Sequence, residues 1–177
     1  KGEGDGFKFT NVSDLLLGEN EFNNEEDLYP NVTPTFGVSI CDVDQNGFPD
    51  ILTNNSNGYF NKLWINKEGK LFEDIGELTG YAADSEGRKS EKGGGNSFLS
   101  LCGDYNNDGI TDIVVGNLSK ETDTNTRDKS AILTGKTKSY PPQFYRSDFY
   151  LSEYRPNWTQ GNRYGTWIDY NMDGLPD

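Results

Sequence analysis

Short apolar runs separated by clusters of Gly, Asn, Asp and Ser make up most of the chain, and their length and flanks favour strands over helices. Runs at 36–41, 98–102 and 164–168 each precede an acidic turn, and the first two are followed after the turn by runs at 50–53 and 112–115. In the first full unit, 62–65 and 70–73 read as two more strands around a tight turn at 66–69. The pattern predicts four short strands per unit. No segment requires a helix, and 14–19 amounts to one turn at most.

Self-similarity sets the larger organisation. Asp42, Asp44, Asn46, Gly47, Phe48 and Asp50 match Asp104, Asn106, Asp108, Gly109, Ile110 and Asp112, and match again Asp169, Asn171, Asp173, Gly174, Leu175 and Asp177. The opening aspartates stand 62 and 65 residues apart. The flanks repeat as well, with Phe9, Val12 and Leu15 aligning on Phe72, Ile75 and Leu78 at a spacing of 63. Four antiparallel strands at such a period predict an all-β chain built of β-propeller blades. Residues 1–34 then read as the last strand of a preceding blade with its connection, 35–95 and 96–160 as two blades with a loop each, and 161–177 as the start of a third. About two and a half blades do not close a propeller, which takes four to eight. The expectation is therefore a fragment of a larger propeller, or a ring completed by further copies of the chain.

The loops carry the chemistry. A hard cation such as Ca²⁺ takes six to eight oxygens, and a short loop delivers them when alternate side chains point inward. Positions 1, 3 and 5 supply them here: Asp42, Asp44 and Asn46; Asp104, Asn106 and Asp108; Asp169, Asn171 and Asp173. Position 6 is Gly each time, where the chain turns sharply. Position 7 (Phe48, Ile110, Leu175) would offer its carbonyl, and position 9 (Asp50, Asp112, Asp177) would close the cage. An EF-hand opens the same way, but it closes with Glu at position 12 between two helices, and both features are missing. Three Asp and one Asn leave an empty cage near −3, about −1 with a divalent ion bound. Two to three Ca²⁺ ions are expected, with Mg²⁺ less suited to a cage made almost wholly of protein oxygens.

Composition narrows the class. Acidic residues outnumber basic ones 29 to 16, a net charge of −13, which turns the chain away from nucleic acid and anionic membrane as partners. With no His, the familiar His-containing catalytic sets and His-ligated zinc are excluded within this chain. Sequons at Asn11, Asn31, Asn54, Asn117 and Asn157 suggest a secreted or cell-surface glycoprotein. The start at Lys1 has no apolar leader, so either a signal has been removed or this is an interior piece. Cys41 lies one residue before its loop and Cys102 two before, which at strand period places them on opposite blade faces. Adjacent blades stack opposite faces, so the pair is either a disulfide between blades or two buried free thiols.

The phrases from Phe36 and Gly37 through Asp42 to Asp50, and from Leu101 through Asp104 to Gly109, resemble the FG-GAP or VCBS repeat of integrin α heads and of the cartilage acidic protein group. Leu63 to Asn66 and Lys70 to Ile75 look closer to the latter, while 120–163 follows the pattern poorly. The resemblance implies a seven-bladed propeller, calcium between the first two strands of a blade, and a role in adhesion or extracellular interaction. The expected function is thus a scaffold or protein-interaction module with structural calcium, meeting a protein partner or itself through rim loops. The alternative is a carbohydrate-binding propeller, suggested by Tyr140, Tyr145, Tyr150, Tyr154 and Trp158, or a non-catalytic part of a carbohydrate-active enzyme; blade packing explains the same aromatics. No acid/base pair separate from the metal carboxylates can be singled out, so no catalytic residue is named.

Overall fold

A computed structural model describes residues 33–85, 87–89, 93–119, 128–149, 160–161 and 163–174. They form two four-stranded antiparallel sheets. Sheet one contains β1 (Thr35–Cys41), β2 (Asp50–Asn55), β3 (Lys62–Asn66) and β4 (Phe72–Asp74). Sheet two contains β5 (Ser97–Gly103), β6 (Asp112–Ser119), β7 (Ser130–Gly135) and β8 (Phe144–Phe149), with the two-residue β9 (Gln160–Gly161) paired to the end of β6. The four main strands of each sheet run in chain order, each beside its sequence neighbour, with only β9 off that path.

Three local expectations are corrected. The fourth strand starts at Phe72 rather than at 70, because the reversal after β3 uses Lys70: its N–H donates to the Lys67 carbonyl at 3.0 Å. Glu68 (φ 56°) and Gly69 (φ 72°) are both left-handed there, as a two-residue hairpin loop demands. The run 164–168 forms no ladder; among the described residues none pairs with it, and it lies against β5 instead. Helix is present, as one α-turn, α1 (Gly76–Thr79), and a 3₁₀ turn at Gly87–Lys89. The Asp74 carboxylate seeds α1 by accepting the N–H of Gly76 at 3.0 Å, and Gly80, left-handed at φ 81°, stops it. Residues 9–15 and 14–19 lie outside the described part.

The sheets pack through opposite faces. Pairing places Ser39 beside Leu52 and Leu63 on one side of sheet one, and Ser100 beside Val115 and Ala131 on one side of sheet two. These two sides meet. Leu52, Leu63 and Ile65 come from the first, Ile113, Val115, Ala131 and Leu133 from the second, and Val43, Ile75 and Tyr81 join them in one buried cluster. Strand β1 lies against β5, with the Ser39 hydroxyl donating to the Ser100 carbonyl at 2.5 Å. Cys41 and Cys102 meet on the same two faces and form a disulfide, with Cα atoms 6.4 Å apart; the free-thiol alternative is set aside.

Both sheets end on the same buried polar clamp. Asn55 closes β2 and Asn117 holds the corresponding place in β6. The Thr35 hydroxyl donates to the Asn55 amide oxygen at 2.7 Å, and Ser97 does the same for Asn117. Each amide nitrogen donates to the carbonyl just before the third strand, Phe60 at 2.6 Å and Lys129 at 2.7 Å. Each backbone N–H donates to a side-chain oxygen at the foot of that strand, Asn61 at 2.9 Å and Ser130 at 3.0 Å. Every group so buried is satisfied, which offsets its desolvation.

A denatured, unreduced sample should contain no free thiol. Since the disulfide bridges a separation of 61 residues, C41A/C102A should lose roughly 2–4 kcal/mol of unfolding free energy in urea titration.

Candidate metal centre

The first loop joins β1 to β2 and the second joins β5 to β6, while the third follows 164–168. Over positions 1 to 6, which are described in each, all three fold alike. The N–H of position 5 donates to the carboxylate of position 1 at 3.0 Å in each: Asn46 to Asp42, Asp108 to Asp104, Asp173 to Asp169. The N–H of the position 6 glycine donates to the second oxygen of that carboxylate, at 2.8, 2.7 and 2.8 Å for Gly47, Gly109 and Gly174. Position 3 accepts from the same position 5 amide, Asp44 at 3.2 Å, Asn106 at 3.0 Å and Asn171 at 2.9 Å. Alternate side chains therefore point inward, as the spacing requires.

The glycines are left-handed, at φ 90°, 80° and 89°. Position 4 is left-handed too, at Gln45 (φ 57°), Asn107 (φ 58°) and Met172 (φ 59°), although none of them is glycine. Sequence reading missed this, because three dissimilar residues share the position. Position 7 is set by its own amide: Phe48 donates to Asn46 Oδ1 and Ile110 to Asp108 Oδ1, each at 2.8 Å. Leu175 and Asp177, the last two candidates of the third loop, lie outside the described residues.

The closing aspartates are braces as well as candidate ligands. Asp50 is fully buried; its Oδ2 accepts the Val43 N–H at 2.7 Å and its Oδ1 the Asn66 N–H at 2.8 Å. Asp112, equally buried, accepts from Tyr105 at 3.0 Å and Gly135 at 2.7 Å. Asn66 extends the brace, its side chain bonding the Pro49 carbonyl at 3.1 Å and accepting the Gly69 N–H at 2.7 Å. The two loops also touch: Gln45 Nε2 donates to the Gly109 carbonyl at 3.0 Å, and the Thr111 hydroxyl to the Asp42 carbonyl at 3.3 Å.

Asp42, Asp44 and Asp50 bring one carboxylate oxygen each to within 4.8 Å of one another, the one such group of three acidic, His or Cys side chains among the described residues. The second and third loops place Asn106 and Asn171 where the first has Asp44, so their cages contain an amide oxygen at that point. Burial pushes the Asp50 carboxyl up to about 6, and the neighbouring charges of Asp44 and Asp42 push the same way against the two amides it accepts from. Asp44 is raised by burial and by Asp42, and Asp112 by burial and by Asp108 and Asp104. An all-oxygen donor set with surplus negative charge fits a calcium ion, which would offset that repulsion.

Two glycosylation candidates are corrected. Asn54 and Asn117 are completely buried, and their amide nitrogens are committed, Asn54 to Ser100 Oγ at 2.9 Å and Asn117 to the Lys129 carbonyl at 2.7 Å. A glycan on either would have to occupy the interior. Asn11, Asn31 and Asn157 lie outside the described residues. Of the aromatics, Tyr140 is 44% exposed and its hydroxyl donates to Glu73 of β4 at 2.6 Å. Tyr145 is exposed, and Tyr150, Tyr154 and Trp158 lie outside the described residues.

The folded Asp50 carboxyl titrates near 6, above its ordinary 3.8. Its proton therefore stabilises the metal-free fold fully below the ordinary value, and that contribution is lost as pH rises through about 6. Calcium needs the deprotonated group, so calorimetric titration should give weaker calcium binding at pH 5 than at pH 7. Equal affinity would remove Asp50 from the ligand set. No family model matches the chain and no curated protein matches it, so the case for the loops rests on their own geometry.

Proposed function

We propose that the chain is a section of an extracellular calcium-stabilised β-propeller that serves as a protein-interaction or scaffold module. The observation that carries this reading is the threefold return of one loop: the same donor positions, the same two left-handed residues and the same internal hydrogen bonds. Turns rich in Asp and Asn form for many reasons, but a turn alone does not call for oxygens at positions 1, 3, 5 and 9 in every copy.

The propeller part draws support from two sheets of four strands in chain order whose first strands, β1 and β5, lie side by side. The FG-GAP or VCBS resemblance of the loop phrases points the same way. An extracellular setting is supported by the Cys41–Cys102 disulfide, a bond that persists in oxidising compartments. No helix among the described residues is long and apolar enough to cross a membrane. The calcium is structural in this reading: it fixes the turn between the first two strands of a unit through residues that also brace the third.

Thermal unfolding in millimolar calcium, in excess chelator and in millimolar magnesium tests the proposal. Free calcium at a hundred times Kd adds about 2.7 kcal/mol per site, which for a chain of this length raises Tm by several degrees. D42N/D104N should abolish most of the rise, read against the variant's own chelated midpoint, because each asparagine also gives up one of the two loop hydrogen bonds its aspartate accepts. Identical midpoints in all three solutions would refute a structural calcium role.

A further inference from the structure

The chain contains two Asn-Gly pairs, Asn46–Gly47 and Asn57–Gly58. In such a pair the glycine nitrogen can attack the asparagine side chain, because no side chain beside that nitrogen stands in the way. The fold sets the two pairs in opposite surroundings.

At Asn57–Gly58 the nitrogen is sealed. Gly58 is buried, its N–H donates to the Gly95 carbonyl at 2.9 Å, and its own carbonyl accepts the Gly94 N–H at 2.9 Å. Asn57 is left-handed at φ 57° and anchored through its N–H to Asn96 Oδ1 at 2.8 Å. Reaction there would give up hydrogen bonds around a buried glycine.

At Asn46–Gly47 the reacting groups are open and supported. Both residues are exposed, and a Cβ on Gly47 would meet nothing within 4 Å, which leaves room for a ring and for the water that opens it. The Gly47 N–H donates to a carboxylate, Asp42 Oδ2 at 2.8 Å, a group able to take a proton. Asn46 Oδ1 accepts the Phe48 N–H at 2.8 Å, which polarises the side-chain carbonyl and stabilises its oxygen as negative charge develops. The nitrogen that would leave, Asn46 Nδ2, donates to Asp44 Oδ2 and to the Asn66 carbonyl, both at 3.2 Å, the long end of hydrogen-bond distances.

We propose that Asn46–Gly47 is a self-modification site, at which the Gly47 nitrogen attacks Asn46 Cγ and closes a succinimide ring. The N–Cγ bond forms as the Cγ–Nδ2 bond breaks, and the Gly47 proton, passed through Asp42, ends on the nitrogen that leaves as ammonia. Water then adds to one of the two ring carbonyls. Cleavage of the new N–Cγ bond gives aspartate, and cleavage of the original main-chain amide gives isoaspartate, in which the chain runs through Cβ and Cγ. Aspartate is what the other two loops already hold at this position, in Asp108 and Asp173, so that product keeps the loop and adds one negative charge to it. Isoaspartate lengthens the chain between positions 5 and 6 and draws Gly47 out of line with Asp42. The first loop thus carries a slow, one-way charge switch. This goes beyond the calcium reading and needs no metal.

The test incubates the folded full chain in mildly alkaline buffer with excess chelator, samples it over days, digests it at acidic pH and assigns each site by fragmentation in a mass spectrometer. Asn46 should gain the Asn-to-Asp mass difference in two chromatographic forms, one co-eluting with the same peptide from N46D and the other labelled by an isoaspartyl methyltransferase. It should convert roughly tenfold or more faster than Asn57, a barrier difference of about 1.4 kcal/mol. In urea the two should convert at similar rates, since only the fold sets them apart. N46D should keep the wild-type near-ultraviolet circular dichroism. Asn57 converting as fast as Asn46 in the folded protein, or Asn46 converting only in urea, would overturn the proposal, and an N46D variant that fails to fold would overturn the claim that the aspartate product keeps the loop.

Discussion

Asp50 and Asp112 begin the second strand of each sheet, and both oxygens of each carboxylate accept backbone amides. One amide comes from the loop (Val43 or Tyr105) and the other from the end of the neighbouring third strand (Asn66 or Gly135). Three separate pieces of chain are therefore held by one buried group. Water is excluded there, so each bond is electrostatically stronger than at the surface, and loss of either donor would leave one buried carboxylate oxygen without a partner. The loop, the first hairpin and the third strand stand or fall with this carboxylate, and so does the candidate cage.

That arrangement explains why a metal at the loop would bear on the whole sheet. The carboxylates of Asp42 and Asp44 crowd Asp50, and burial already works against its charge. A cation there relieves both costs at the point where the sheet is pinned. The inter-loop bonds from Gln45 and Thr111, with the disulfide beside them, extend that influence to the neighbouring sheet.

Much of this was legible in the sequence for a physical reason: repetition removes ambiguity that single motifs leave. The strands flanking the first two loops and the left-handed glycines at 47, 109 and 174 follow from patterns seen more than once. What escaped notice lacked a compositional mark. Gln45, Asn107 and Met172 share a backbone state but no side-chain chemistry. The turn at α1 depends on Asp74 and Gly80, in a stretch just past the strand expected at 70–73, to which no element was assigned. Asn54 and Asn117 carried a misleading mark, since a sequon is defined by three residues and is blind to burial. The disulfide was open for another reason: alternation places two thiols on facing sides, but only the stacking of β1 on β5 brings them together.

The buried clamp at Asn55 and Asn117 bears on a fault that apolar patterning alone leaves uncorrected. Sliding one strand past its neighbour by two residues keeps every apolar side chain on its own face, so the core penalises that slip weakly. An amide whose oxygen, nitrogen and backbone N–H each need a particular partner from a different strand or turn tolerates no such slip. One asparagine per sheet thus acts as a key that admits a single alignment. Because each sheet carries its own key, the register of every unit is set by residues of that unit and does not depend on how its neighbours are aligned.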